Sequence, residues 1–100
     1  MFVVHLYLRI APSGRRTALN ALLDQLDAVR AMSGCLRYIP FEDPSDDEGL
    51  CILEEWESRE AFAAYAGSGV FDGLGLVLRP MMLSAPVTNR FEASPVEAAN

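Results

Sequence analysis

The sequence predicts an α+β domain of the order β-α-β-β-α-β, a four-stranded antiparallel sheet with both helices on one face. Three observations predict it. Residues 2–10 and 50–56 alternate their side chains with the period of a strand. Leu19, Leu22, Leu23, Leu26 and Val29 step by three and four, the period of a helix stripe. Residues 35–41 and 50–56 flank a short acidic, turn-rich stretch, which joins neighbouring strands antiparallel. With a helix and a strand following residue 56, this is the ferredoxin-like arrangement.

In the first strand Phe2, Val4, Leu6, Leu8 and Ile10 share one face, and Val3, His5, Tyr7 and Arg9 share the other. Ala11-Pro12-Ser13-Gly14 breaks it. A helix is expected over about residues 15–32, ended by Ser33-Gly34, with Gly34 suited to a left-handed cap. Strand two runs from Cys35 to Phe41 and strand three over residues 50–56. If Phe41 faces Leu50, then Ile39 faces Ile52, Arg37 faces Glu54 and Cys35 faces Trp56. Cys51 then lies opposite Pro40, too far from Cys35 to bridge. The loop over residues 42–49 is polar throughout and belongs in solvent.

Ser58 offers its hydroxyl to the free N–H groups of a helix start, with Glu60 in the first turn. That helix covers residues 59–66, and Gly67-Ser68-Gly69 interrupts it. A second helical piece carries Phe71, Leu74, Val77 and Leu78 until Pro80 stops it. Met82 to Glu92 reads as the last strand, with Val87, Asn89 and Phe91 on one face. The domain is thus residues 2–92, followed by a small, polar tail over residues 93–100 that is loose or lies on a partner.

One hundred residues make one domain, and 51% hydrophobic residues support a core. The net charge of −6 and eight scattered arginines argue against nucleic acid and anionic membrane as partners. The first residues lack a basic segment and alternate polar with apolar, so they are not a signal peptide, and no apolar run approaches a membrane span. A cytoplasmic location is expected. Two helices cover one side of a sheet only. The other side carries Val3, Tyr7, Tyr38 or Trp56, depending on strand phase, and wants a cover. Two copies packed sheet to sheet would give a homodimer with a closed α/β barrel.

Two stretches resemble a known family. Ser33-Gly34-Cys35-Leu36-Arg37-Tyr38 is similar to the "PGCLRY" stretch of the antibiotic biosynthesis monooxygenase (ABM) domains, members of the dimeric α/β-barrel superfamily. Glu54-Glu55-Trp56-Glu57-Ser58-Arg59-Glu60-Ala61 is similar to that family's "E-x-W-E-S-x-E-A". The resemblance covers residues 2–92. It implies a cofactor-independent monooxygenase that oxidises a small aromatic, quinol-like or polyketide-type substrate with O2, without metal or flavin. The implied chemistry is deprotonation of an electron-rich phenol or anthrone, followed by reaction of its anion with oxygen. Many members carry a His in the second helix and an "S-P-H-F" stretch after it. Tyr65 and Ser68-Gly69-Val70-Phe71 stand at those positions in this chain. Haem-degrading relatives use a first-strand Asn and a helical His, and this chain has neither.

The candidate catalytic residues are His5, the only histidine, as proton acceptor, and Tyr65, which would orient a substrate oxygen. The candidate substrate-binding residues are Tyr7, Arg37, Trp56, Phe62 and Phe71. Each also has a plain structural reading: Trp56 as a core anchor, Arg37 with Glu54 as a cross-strand ion pair, His5 as a residue on a solvated strand. No metal-ligand spacing is present, and no phosphate-binding glycine loop. The alternative to an enzyme is a non-catalytic dimeric binding or structural module of the same fold. An interior filled by Trp56, Phe62 and Tyr65 themselves favours the module. An open cavity with His5 or Tyr65 pointing into it favours the enzyme.

Overall fold

Alternation along the first strand, β1 (Phe2–Arg9), decides which side of the sheet is covered. In the computed structural model, which describes residues 1–96, Phe2, Val4, Leu8 and Ile10 are buried under the helices, while Tyr7 and Arg9 are exposed on the other side. β1 is central. It pairs antiparallel with β3 (Gly49–Trp56) on one side and β4 (Val87–Glu92) on the other. β2 (Cys35–Glu42) closes the far edge, giving the order β2-β3-β1-β4. The helices α1 (Pro12–Asp24), α2 (Leu26–Arg30), α3 (Arg59–Ala66) and α4 (Gly69–Leu78) supply the other half of the core through Ala18, Leu22, Val29, Phe62, Tyr65, Leu74 and Leu78. This is the expected ferredoxin-like fold. The sheet of the single chain is not closed into a barrel. Among the described residues no single helix is long and apolar enough to cross a membrane.

Three local expectations are corrected. The first helix begins at Pro12, because proline at the first helical position loses no hydrogen bond and its φ is already helical. The expected single helix over residues 15–32 divides at Gln25, whose N–H donates to the Leu22 carbonyl at 3.2 Å, and it ends at Arg30. The apolar steps continue through that turn, with Leu22 and Val29 both buried, so periodicity alone does not reveal the break. The last strand is shorter than residues 82–92. Met82 makes one isolated bridge to Ile10, and the ladder resumes only after Pro86, which has no N–H to give it.

The larger correction concerns β2. Cys35 faces Trp56 as expected, but a bulge at Leu36 shifts everything after it by one residue. Arg37 therefore faces Glu55, Tyr38 faces Glu54 and Phe41 faces Cys51. A one-residue slip exchanges the two faces of a strand. Tyr38 goes under the helices, fully buried, and Arg37 goes to the open face, where its Nε lies 3.5 Å from the Glu55 carboxylate. Both cysteines are free.

Two loops fix the helices to the sheet. Arg15 donates to the carbonyls of Asp43, Asp46 and Gly49 at 3.1, 2.7 and 3.2 Å, and Arg9 pairs with Asp46 and Glu48, so the acidic loop is pinned rather than free. The turn into β2 needs Gly34, which has φ +82° and whose carbonyl accepts from Glu57 N–H at 2.8 Å. A Cβ at that position would lie 2.6 Å from the Ala61 Cβ. Gly34→Ala therefore combines a left-handed backbone with a clash against α3, and is expected to destabilise the chain by roughly 2–4 kcal/mol. Urea unfolding checks it; an unchanged midpoint contradicts this account of the turn.

Candidate functional site

A cavity of about 260 Å³ lies between the covered face of the sheet and the pair α3–α4. Its floor is Val4, Leu6 and Leu8 of β1, Ile52 and Glu54 of β3, Tyr38 of β2, and Thr88 of β4. Its roof is Phe62, Tyr65 and Ala66 of α3 with Phe71, Leu74, Gly75 and Leu78 of α4. Arg79, Met82, Pro86 and Arg90 complete the rim. The walls are mostly apolar, and the size suits a small molecule of a few rings.

The local sequence explains how the roof is held. Ser58 caps α3 by accepting from Ala61 N–H at 3.1 Å. Ser68, within the expected interruption, caps α4. Its hydroxyl accepts from Phe71 N–H at 3.3 Å and donates to the Tyr65 carbonyl at 2.6 Å. One serine thus ends α3 and starts α4, fixing Tyr65 and Phe71 edge to face with ring centroids 5.4 Å apart. On the other side Tyr65 stacks on Trp56, with centroids 5.1 Å apart and planes 22° apart.

Two hydrogen-bonded pairs carry the buried polar groups in and beside the cavity. Trp56 Nε1 donates to Glu54 Oε1 at 3.1 Å. The Tyr38 and Tyr65 hydroxyls lie 2.9 Å apart, so one donates to the other and a single O–H remains to offer. Glu54 is buried, and burial raises its pKa from 4.5 to about 7; the Trp56 hydrogen bond and the Arg90 charge only partly offset this. Burial likewise pushes Tyr65 up to about 12 and Tyr38 further, so both phenols stay protonated at neutral pH. A carboxyl group that changes charge near neutrality, in an apolar hollow beside a phenol donor, is equipped to accept a proton from a bound molecule.

The sequence-derived candidates divide into two groups. Tyr65, Phe62 and Phe71 line the cavity, and Trp56 stands immediately behind Tyr65 and Glu54. His5, Tyr7 and Arg37 are not brought to it. They lie on the opposite face of the sheet, with His5 edge to face against Phe91 at 5.4 Å. Sequence reasoning took Glu54 as the cross-strand partner of Arg37, and did not single out Tyr38 and Arg90 as a site. For Glu54 a signal existed: it shares a strand face with Leu50, Ile52 and Trp56, a carboxylate in an otherwise apolar row. For Tyr38 there was none, because the Leu36 bulge sets its direction.

Glu54 makes stability depend on pH in an unusual sense. The folded chain holds this proton more tightly than the unfolded chain, so between pH 4.5 and about 7 the native state binds more protons and stability falls as pH rises. The full effect is roughly 3 kcal/mol. Asp43 and Asp46, held low by hydrogen bonds from Ser45 and Arg9, act in the opposite sense but only at more acidic pH. The melting temperature is therefore expected to drop by roughly 10–20 °C between pH 5 and 8. Glu54→Gln, which keeps an acceptor for Trp56, should abolish the drop; calorimetry of both proteins checks it.

Comparison with known proteins agrees with this architecture. The sequence profile of the family described as Antibiotic biosynthesis monooxygenase matches residues 1–73. A crystal structure from Deinococcus radiodurans, named for that family, superposes with a TM-score of 0.90 at 20% identity, covering 100% of this chain and 99% of its own. One from Caulobacter crescentus CB15, also so named, gives 0.88 at 24% identity over 94% and 90% of the two chains. A conserved protein from Methanosarcina mazei Go1 gives 0.87 at 17% identity over 93% and 92%. At these identities the structures speak for the fold alone. No curated protein matches the sequence. The profile spans β1 to the first half of α4, including the bulged β2 and the Glu54–Trp56 segment, and on that match this chain belongs to the antibiotic biosynthesis monooxygenase family.

Proposed function

We propose that the cavity binds a small electron-rich aromatic molecule, a phenol, quinol or anthrone, and that the chain acts as a monooxygenase on it with O2. The observation that carries this reading is the buried Glu54 carboxyl on the floor of an apolar hollow, its pKa raised by burial to about 7. The carboxylate takes the proton from the acidic C–H or O–H of the bound ring. The free hydroxyl hydrogen of the Tyr38–Tyr65 pair is the donor for the oxygen on which the resulting negative charge resides. Phe62, Phe71 and Leu74 keep water from the anion. The anion then reacts with O2. For an anthrone methylene the balance is one CH2 and one O2 giving one C=O and one water, so no outside electron donor is needed.

The family membership supports the reaction class, and the open cavity lined by Tyr65 supports an enzyme over a purely structural module. We assign the base to Glu54 rather than to His5, which lies across the sheet from the cavity. His5, Tyr7 and Arg37 belong in this reading to the face that a second copy covers. That face exposes Tyr7, Phe41, Val87 and Phe91, each between 44% and 57% accessible, which is a large apolar area for a small domain. The two free thiols fit a reducing compartment, the cytoplasm.

Oxygen uptake by purified protein on a panel of anthrones and hydroquinones tests the reaction. Uptake above the uncatalysed rate is expected on at least one of them. It should rise with pH through about 7 as Glu54 ionises. Glu54→Gln should lower turnover by about 100-fold or more, and Tyr65→Phe by less. No uptake on any substrate overturns the reading. For the dimer, light scattering should report twice the chain mass of 11.0 kDa at micromolar concentration; the single mass removes it.

A further inference from the structure

The chain has eight basic side chains, all arginine. Six are engaged within the described residues. Arg9, Arg15, Arg16, Arg37 and Arg59 each have a carboxylate within 4.0 Å, and Arg30 donates to the Tyr38 carbonyl at 3.0 and 3.2 Å. The other two, Arg79 and Arg90, have neither an ion pair nor a hydrogen bond among the described residues, and both line the same cavity. Both are exposed at its rim, while Glu54, the one acid among the lining residues, is buried at its floor. Arg90 is held with its guanidinium 5.1 Å from the Phe62 ring centre. Arg79, at the end of α4, folds back over the preceding turn. Gly75 makes room for it: a Cβ there would lie 2.9 Å from Arg79 Nη2 and 3.0 Å from Cζ. All three residues lie outside residues 1–73, the part that the family profile matches.

We propose that Arg79 and Arg90 form a receptor for a carboxylate on the aromatic molecule that the cavity takes, with Gly75 permitting Arg79 to reach the rim. The inference rests on the cavity being the substrate site, as argued above, and adds the substrate's charge and direction. A chain of net charge −6 repels anions in general, so two guanidinium groups that line one cavity with no carboxylate within 4.0 Å among the described residues are a local exception. Guanidinium groups recognise carboxylates through paired, charge-assisted hydrogen bonds. Glu54 repels a second anion at the floor. The ligand therefore enters with its neutral, proton-donating end toward Glu54 and leaves its carboxylate at the rim.

Calorimetric titration with 6-hydroxy-2-naphthoate and its uncharged analogue 6-hydroxy-2-naphthamide tests this. The two differ only in the charge at the end away from the phenol. The carboxylate is expected to bind at least about tenfold more tightly, the margin shrinking as salt is added. Arg79→Gln should bring the ratio of the two affinities to within about twofold of unity. Gly75→Ala, which displaces the guanidinium without removing it and leaves the helix backbone in place, should do the same. Equal binding of the two ligands by the unaltered protein, binding of neither, or a ratio that survives both substitutions overturns the proposal. Oxygen uptake on uncharged anthrones is decided separately, so failure here is distinguishable from failure of the oxidation reading.

Discussion

The interior depends on the burial of Trp56 at the end of β3. Its indole is fully covered, stacks on Tyr65, meets Phe62 edge to face at 6.3 Å and donates its N–H to Glu54. A buried indole N–H requires an acceptor. In this chain that acceptor is an ionisable carboxyl two residues earlier on the same strand face. The stacking holds α3 against the sheet, and the hydrogen bond holds the carboxyl under α3. The cavity begins where this cluster ends, because Tyr65 and Phe62 wall one side of it while the smaller Ala66 and Gly75 leave space on the other.

The site is built by retaining a group that folding alone would discard. A buried carboxyl destabilises the native state wherever it is ionised, and a glutamine would serve Trp56 equally well as acceptor. The Tyr38–Tyr65 hydroxyl pair has the same character. It satisfies two buried phenols with one hydrogen bond and leaves one proton unassigned. Arg79 and Arg90 continue the pattern at the rim, two cations without carboxylate partners among the described residues in an acidic chain. Polar groups kept without full local compensation, converging on one hollow, distinguish this face of the molecule from the Arg9–Asp46–Glu48 and Arg15–loop contacts, which are complete in themselves.

The two faces of the sheet divide the functional candidates by strand phase. Residues of even number in β1 and β3 face the cavity, and those of odd number face outward. His5 and Tyr7 are odd, and alternation alone fixes that. Arg37 and Tyr38 exchange faces relative to an unbroken ladder, because the Leu36 bulge inserts one residue into the count. The family-like stretch from Ser33 to Tyr38 contains both Gly34 and the bulge. Its conformation therefore delivers the Tyr38 hydroxyl to Tyr65.

The sequence by itself determined the element order, the ferredoxin-like sheet, the covered face of β1, the Ser58 cap and the left-handed Gly34, because each follows from residue period or from the conformational freedom of one residue. It also marked Tyr65, Phe62 and Phe71 for the interior through their helical spacing. Only the tertiary structure decided the register of β2, the division of α1 from α2 and the place of Arg37. A bulge and a tight turn leave the apolar pattern unchanged and shift only what it points at. The cavity itself was equally out of reach of the sequence. Whether Glu54 is solvated or buried depends on how α3 and α4 lie across the sheet, and its pKa follows from that contact rather than from its neighbours along the chain.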